Sequence, residues 1–232
     1  MVTFKFDCLS CMYNVNDIFE TIQGEGTFTG IPAIFVRLQG CPVGCPWCDT
    51  KQTWNTLPSD ERDFSTVVAK TDYSQLWTKV DTQKILEHLQ ANYTAKHVVI
   101  TGGEPCIFDL QPLIYMLEAA GYRCQIETSG TYHVSVTDNT WVTVSPKINM
   151  RGKLPVLNTV LIRANEIKYT VGTVTDIEKL DRLLKGVNLR PDAEIALQPI
   201  SQKSRTTALC IETCIKRNWR LSIQVHKYLD IT

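Results

Sequence analysis

Three cysteines, Cys41, Cys45 and Cys48, fall within the run Gly40-Cys41-Pro42-Val43-Gly44-Cys45-Pro46-Trp47-Cys48-Asp49-Thr50. The spacing is C-x3-C-x2-C. Cysteine thiolates hold iron–sulfur clusters. Three of them this close suit three irons of a four-iron cubane and leave the fourth iron open to chelate a ligand. The competing chemistry is structural zinc, which takes four ligands, commonly in paired C-x2-C or C-x2-C with H-x3-5-H groups. No fourth Cys or His follows at finger spacing; the next are His88 and His97. Ligand count therefore favours a cluster over zinc.

Other chemistry-bearing residues recur at the ends of apolar segments. After residue 30 the chain alternates strand-like and helix-like stretches, the pattern of α/β architecture with parallel strands. Strands are expected over 32–39, 97–102, 123–128, 141–146, 166–171, 194–199 and 220–227. Helices are expected over 81–92, 109–120, 156–164, 175–186 and 204–217, with Asp109 and Thr175 as N-caps and Gly121 as a stop. Segment 50–80, rich in Thr, Ser and Asp, reads as an irregular insertion. Several strands alternate: Arg123, Gln125, Glu127 and Ser129 oppose Cys124, Ile126 and Thr128, while Thr143, Ser145 and Lys147 oppose Val142 and Val144. Ser222, Gln224 and His226 likewise oppose Ile223 and Val225. Period two puts the polar groups on one side of a sheet. That side must be a lumen holding water or a polar ligand. The cysteine loop, Gly102-Gly103-Glu104-Pro105, Glu127 to Gly130, Ser145-Pro146-Lys147 and Gln198 to Ser201 all sit at or past strand C-termini, where α/β enzymes build their sites.

The chain has 232 residues, 44% of them hydrophobic, with 24 basic and 24 acidic side chains. Zero net charge gives no electrostatic reason to expect nucleic-acid or membrane binding. No apolar run approaches 18 residues, so a cytoplasmic location is expected. Nine cysteines, an odd number, with ligand-like spacing favour a reducing compartment. Cys8 and Cys11 form a second C-x2-C but do not complete a metal site. Patterning begins after Met12, so residues 1–11 are expected to be a dispensable leader and 12–232 a single domain. Cys106, Cys124, Cys210 and Cys214 read as small buried hydrophobes.

The cysteine loop, the aromatic Trp47 before its last cysteine, and Thr101-Gly102-Gly103-Glu104-Pro105 after a strand resemble the radical S-adenosylmethionine (SAM) enzymes. The resemblance implies a trimmed, partial (β/α)6-type barrel with an open polar lumen. It implies a [4Fe-4S] cluster whose open iron binds SAM, and an electron that releases a 5'-deoxyadenosyl radical. SAM would lie against Trp47, Cys48, Asp49, Gly103, Glu104, Glu127, Ser129, Ser145, Pro146, Lys147, Gln198, Pro199, Ile200 and Ser201. Glu104 or adjacent backbone would accept from its ammonium group. The two glycines would let backbone approach the ligand.

Gln23-Gly24-Glu25-Gly26, Arg37-Leu38-Gln39-Gly40-Cys41, Trp47-Cys48-Asp49-Thr50, Glu127-Thr128-Ser129-Gly130 and Ser145-Pro146-Lys147 together resemble the 7-carboxy-7-deazaguanine synthase family, from about Met12 to the C-terminus. That likeness implies conversion of 6-carboxy-5,6,7,8-tetrahydropterin to 7-carboxy-7-deazaguanine with loss of ammonia, by hydrogen removal at C6 and ring contraction. It implies magnesium on Thr50, a homodimer and a flavodoxin-like or similar electron donor. Ile22, Gln23, Gly24, Glu25, Arg37, Thr101 and His226 are the expected substrate residues. Arg37 would grip a carboxylate with two bonds, and Glu25 would accept aminopyrimidinone N–H groups. A glycyl-radical activase shares the cysteine loop and the Gly-Gly-Glu-Pro segment but does not need Arg37, Glu25 and Thr50 together. A zinc-stabilised interaction module is the non-enzymatic alternative.

Overall fold

In a computed structural model, residues 11–200 and 203–229 are described. Among them nine strands form one sheet. They are β1 (Met12–Ile22), β2 (Pro32–Leu38), β3 (Thr78–Asp81), β4 (His97–Gly102), β5 (Arg123–Thr128), β6 (Trp141–Val144), β7 (Glu166–Val171), β8 (Glu194–Pro199) and β9 (Arg220–Leu221). Their order is β3-β1-β2-β4-β5-β6-β7-β8-β9. The first two pairings are antiparallel and the rest parallel. The sheet is open, with β3 and β9 at its edges. The architecture is thus mixed α/β with a large open sheet, rather than a closed barrel.

Helices α1 (Phe64–Val68), α2 (Thr82–Asn92), α3 (Gln111–Ala119), α4 (Asn158–Arg163), α5 (Val174–Leu184), α6 (Ser204–Arg217) and α7 (His226–Leu229) connect or follow the strands. Val98, Ile100, Cys124, Ile126, Val142, Val144, Ile167 and Leu197 from the sheet join Leu113, Leu117, Leu161, Ile177, Leu180, Cys210 and Cys214 from the helices in one core. Cys106, Cys124, Cys210 and Cys214 are buried and unbridged, as expected. Burying such apolar faces, at roughly 25 cal/mol per Å², drives the helices onto one side of the sheet. No helix among the described residues is long and apolar enough to cross a membrane.

The sequence reading misses β1, and the reason is a bulge. The β1–β2 register shifts between Val15 and Asp17. Tyr13 and Val15 face the core on one phase and Ile18 on the other. A bulge adds one residue and breaks period two. The stretch 50–80 is more ordered than expected: it holds α1, most of β3 and two 3₁₀ turns. The cap of α3 is Leu110, not Asp109, although Asp109 Oδ1 accepts from Gln111 N at 3.2 Å. The cap of α5 is Thr173, which exchanges bonds with Asp176 in a capping box, not Thr175. Gly121 does follow α3, at φ +86°.

The expected strand 220–227 shrinks to Arg220–Leu221. Beyond Ser222, whose N still donates to Leu197 O at 2.9 Å, the chain leaves the β8 edge. Val225 N donates to Gly24 O at 2.9 Å, and Gln224 Nε2 donates to Glu25 Oε1 at 2.7 Å. Bonds to the segment after β1 replace the sheet ladder, so the polar residues of this segment enter the cavity without being on a strand.

Candidate active site

The polar face of the sheet lines a cavity of about 520 Å³, within the range of small-molecule sites. Walls come from strands along the whole sheet: Phe19 and Thr21 of β1, Phe35 and Arg37 of β2, Glu127 of β5, Lys168 and Thr170 of β7, and Gln198 of β8. The cavity brings together Ile22, Gln23, Gly24, Glu25, Arg37, Thr101 and His226. It adds Cys41, Cys45, Trp47, Cys48, Asp49, Thr50, Gly103, Glu104, Glu127, Ser129, Ser145, Lys147, Gln198 and Ile200. Pro146 and Pro199 do not line it. Each follows an inward residue, so period two turns it into the buried far side. Ser201 and Cys8 lie outside the described residues.

The cysteine loop packs as a unit. Cys41, Cys45 and Cys48 surround Val43 and Met150, with Leu154 against them. Gly40 N donates to Thr53 O at 2.7 Å, Cys41 N to Trp54 O at 3.0 Å, and Gly152 N to Val43 O at 3.0 Å. Burial pushes the Cys41 thiol up to about 11 and raises Cys45, the latter opposed by Lys147. A metal that binds here must displace those protons. Trp54 Nε1–H points at Cys48 Sγ at 3.4 Å, a donor of the kind that tunes cluster sulfurs. Among the described residues no group of three or more His, Cys, Asp or Glu side chains converges to hold a single ion. Three thiols on one loop at the cavity wall are the ligand type that iron–sulfur clusters take. Trp47 is 50% exposed at the mouth, so it is not core packing.

The glycines of Gly102-Gly103 have another reason than the expected ligand approach. Gly103 N donates to Leu38 O and Glu104 N to Gly40 O, both at 2.9 Å. A Cβ on Gly103 would stand 2.1 Å from Gly40 O. The pair lets the β4 loop lie directly on the start of the cysteine loop. Gly103→Ala is therefore expected to destabilise the fold by about 1–3 kcal/mol, as overpacking does, and to lower cluster content. Thermal unfolding and iron analysis check both; unchanged values would show that the contact yields easily.

Glu104 is 1% exposed. Its Oε1 accepts from Cys106 N at 3.0 Å and Thr128 Oγ1 at 2.7 Å, and its Oε2 accepts from Ser129 N at 2.8 Å and from Ser129 Oγ. The carboxylate clips the β4 loop to the β5 loop. Of the two expected SAM acceptors, side chain or adjacent backbone, the backbone is the one left free of these contacts. Lys147 Nζ donates to Ser145 Oγ at 2.6 Å on the cavity wall.

Arg37 lies 5.2 Å from the Phe19 ring. Its Nε is fully buried and has no protein partner. Buried donors are ordinarily bonded; the rest of the Arg37 side chain lines the cavity. Thr50 Oγ1 is 3.4 Å from Gly102 O and 3.5 Å from Cys48 Sγ, between the cysteine loop and the β4 loop. His226 begins α7 rather than a strand, yet still reaches the cavity. A Cβ on Gly24 would meet its Nδ1 at 2.6 Å.

Sequence reasoning missed Lys168 and Glu166, and named Gln224 only as part of the inward polar face. Lys168 Nζ bonds Glu25 Oε2 at 2.6 Å and Glu127 Oε2 at 2.7 Å. Glu127, expected beside SAM, thus stands with Glu25. Glu166 accepts from Thr27 N and Thr143 Oγ1, both at 3.0 Å. The signal was present: Glu166, Lys168 and Thr170 alternate with Ile167, Tyr169 and Val171, the period that marks the other inward faces.

This arrangement of thiols, glycine loop and polar sheet face has known counterparts. Residues 22–165 match the family model of a 4Fe-4S single cluster domain. The chain is an iron–sulfur enzyme of radical SAM type. It is 60% identical over 220 residues to 7-carboxy-7-deazaguanine synthase of Escherichia coli strain K12, covering 94% of this chain and 99% of that one. The synthases of Buchnera aphidicola subsp. Schizaphis graminum and of Synechocystis are 47% and 34% identical, covering 94% and 97% of this chain and 99% and 96% of theirs. The crystal structure of QueE from Escherichia coli matches with a TM-score of 0.90 at 59% identity, over 93% of this chain and 95% of that chain. The chain belongs to the 7-carboxy-7-deazaguanine synthase family. That membership overturns the zinc-module and activase readings.

Proposed function

We propose that this protein converts 6-carboxy-5,6,7,8-tetrahydropterin to 7-carboxy-7-deazaguanine with loss of ammonia, in the 7-deazapurine route towards queuosine. The observation that carries the reading is Arg37, a buried guanidinium side chain that lines the same cavity as the three thiols and the Gln23–Glu25 segment. A guanidinium presents a planar fork that fits a carboxylate. When bound, a [4Fe-4S] cluster with an open iron supplies the electron that turns SAM into a hydrogen-abstracting 5'-deoxyadenosyl radical.

Cys41, Cys45 and Cys48 are the three cluster ligands on this reading. Trp47, Asp49, the Gly103 backbone, Ser129, Ser145, Lys147, Gln198 and Ile200 would surround SAM. Arg37 and Thr101 would hold the pterin's carboxylate end, and Glu25, Gln23 and His226 its pyrimidinone end. Thr50 would help hold Mg2+, which keeps waters and uses few protein ligands. The open sheet is read as a trimmed six-stranded partial barrel with a polar lumen. The remaining proposals are a homodimer, a flavodoxin-like electron donor and a cytoplasmic setting.

The deciding assay is anaerobic, with SAM, reductant, magnesium and the carboxytetrahydropterin. Formation of the deazaguanine supports the proposal; SAM cleavage that the pterin never alters defeats it. Thr50→Ala is expected to raise the magnesium half-saturation roughly 10-fold or more, the scale on which lost metal-site contacts act, with SAM affinity little changed. An unchanged magnesium titration would move the metal elsewhere.

A further inference from the structure

Lys168 joins elements from separate parts of the sheet. Its side chain, on β7, is 5% exposed; those of Glu25, after β1, and Glu127, at the end of β5, are 19% and 16% exposed. The other carboxylate oxygens meet only N–H donors. Glu25 Oε1 accepts from Gln224 Nε2 at 2.7 Å and Gln198 Nε2 at 3.4 Å. Glu127 Oε1 accepts from Gln125 Nε2 at 3.2 Å and Gln23 Nε2 at 3.5 Å. Donors on every side favour the ionised form of both acids. The other charged or titratable groups nearby are Glu166 on β7 and His226 and Lys227 on α7.

Burial pushes the Glu25 carboxyl up, but the Lys168 charge overrides it and holds the group at about 2. Burial raises Glu127, Glu25 and Glu166 add to the rise, and Lys168 opposes it. Burial also works against the Lys168 ammonium, yet Glu127, Glu25 and Glu166 keep it well above the usual lysine range. Without that ammonium, two buried like charges would face each other. One carboxyl would then keep its proton towards neutral pH.

We propose that Lys168 is a positioning residue for substrate: a fixed cation that keeps Glu25 and Glu127 side by side as ionised acceptors, so that this end of the cavity selects a heterocycle with adjacent N–H donors, such as an aminopyrimidinone. The inference rests on the pterin reading above. A purely structural ion pair would tie the same elements together without setting ligand protonation chemistry.

The test uses the cluster-loaded enzyme without reductant, with 6-carboxypterin as probe. Binding is followed by fluorescence from about pH 5.5 to about 8.5, a window that covers raised carboxyl pKa values. Ionised acceptors bind the donor ring, so affinity falls as pH drops through the carboxyl pKa. In Lys168→Met that midpoint should move up by about one unit or more, making binding at the acid end at least about tenfold weaker than in wild type. SAM affinity should hold, and Lys168→Arg should restore the wild-type midpoint. A folded Lys168→Met protein with the wild-type midpoint overturns the proposal. If that variant does not fold, Lys168→Met combined with Glu127→Gln removes the charge imbalance. This double variant should bind the probe at least tenfold more weakly at any pH, and wild-type affinity in it is equally fatal. Should wild type bind no pterin, the substrate reading fails. Infrared carboxyl bands of the ligand-free variants still judge Lys168, because a protonated-acid band should appear at neutral pH only when its charge is lost.

Discussion

Replacing any one of Cys41, Cys45 or Cys48 by Ala is expected to reduce SAM cleavage to background. Each change removes one of three thiolates, and a cluster on two protein ligands is not held. The fold should survive. The loop is held by backbone bonds from Gly40 to Thr53, Cys41 to Trp54 and Gly152 to Val43, none of which involves a thiol. Removing one small, partly buried sulfur costs about 1 kcal/mol or less. The readouts are iron content, 5'-deoxyadenosine formation and thermal unfolding, measured on each variant. Normal turnover in any of the three would sink the cluster assignment. Loss of fold together with iron would mean that the loop organises the domain rather than the cofactor.

The second large effect is expected at Arg37. Arg37→Lys keeps a positive charge but loses the two-pronged donor. It also changes the cation held 5.2 Å from the Phe19 ring, which itself stacks on Phe35 at 5.4 Å. A lost charge-assisted bond in a desolvated pocket is worth roughly 1.5–3 kcal/mol, or about one to two decades in substrate affinity. Radical formation draws on the cysteine loop, which the change leaves alone. The signature is abortive 5'-deoxyadenosine without deazaguanine. If Arg37→Lys binds the pterin as tightly as wild type and couples cleavage to product normally, Arg37 balances Asp17 and Asp49 and the substrate pose is wrong. Both acids act on its guanidinium, and Asp17 sits opposite it in the β1–β2 register.

Much of this site is written locally. A C-x3-C-x2-C loop states its chemistry through spacing alone, because the three thiols need no long-range contact to be neighbours. Arg37, Gln125, Glu127, Thr143 and Ser145 were legible as one polar face, since period two is a property of any extended strand. The helices expected over 81–92 and 204–217 are found as Thr82–Asn92 and Ser204–Arg217. What failed is equally specific. The bulge in β1 hid a strand of 11 residues, because its inward phase changes where the extra residue enters. Residues 222–225 keep a strand-like alternation, yet Gln224 and Val225 bond to Glu25 and Gly24 instead of extending β9.

By itself the sequence determined the cysteine spacing, the α/β class, the inward polar face and the family. Those rest on spacing, periodicity and motif, which are local. Tertiary structure alone decided who partners whom. Glu104 is a clip between two loops because Thr128 and Ser129 are folded onto it. Gly103 is required because Gly40 O lies where its Cβ would be. Glu25 and Glu127 share one ammonium because the fold brings the segment after β1 and the end of β5 onto β7, although the two acids lie 143 and 41 residues from Lys168 in the chain. A buried charge is tolerable only when a partner compensates it, and which partner arrives is set by the packing of the whole sheet.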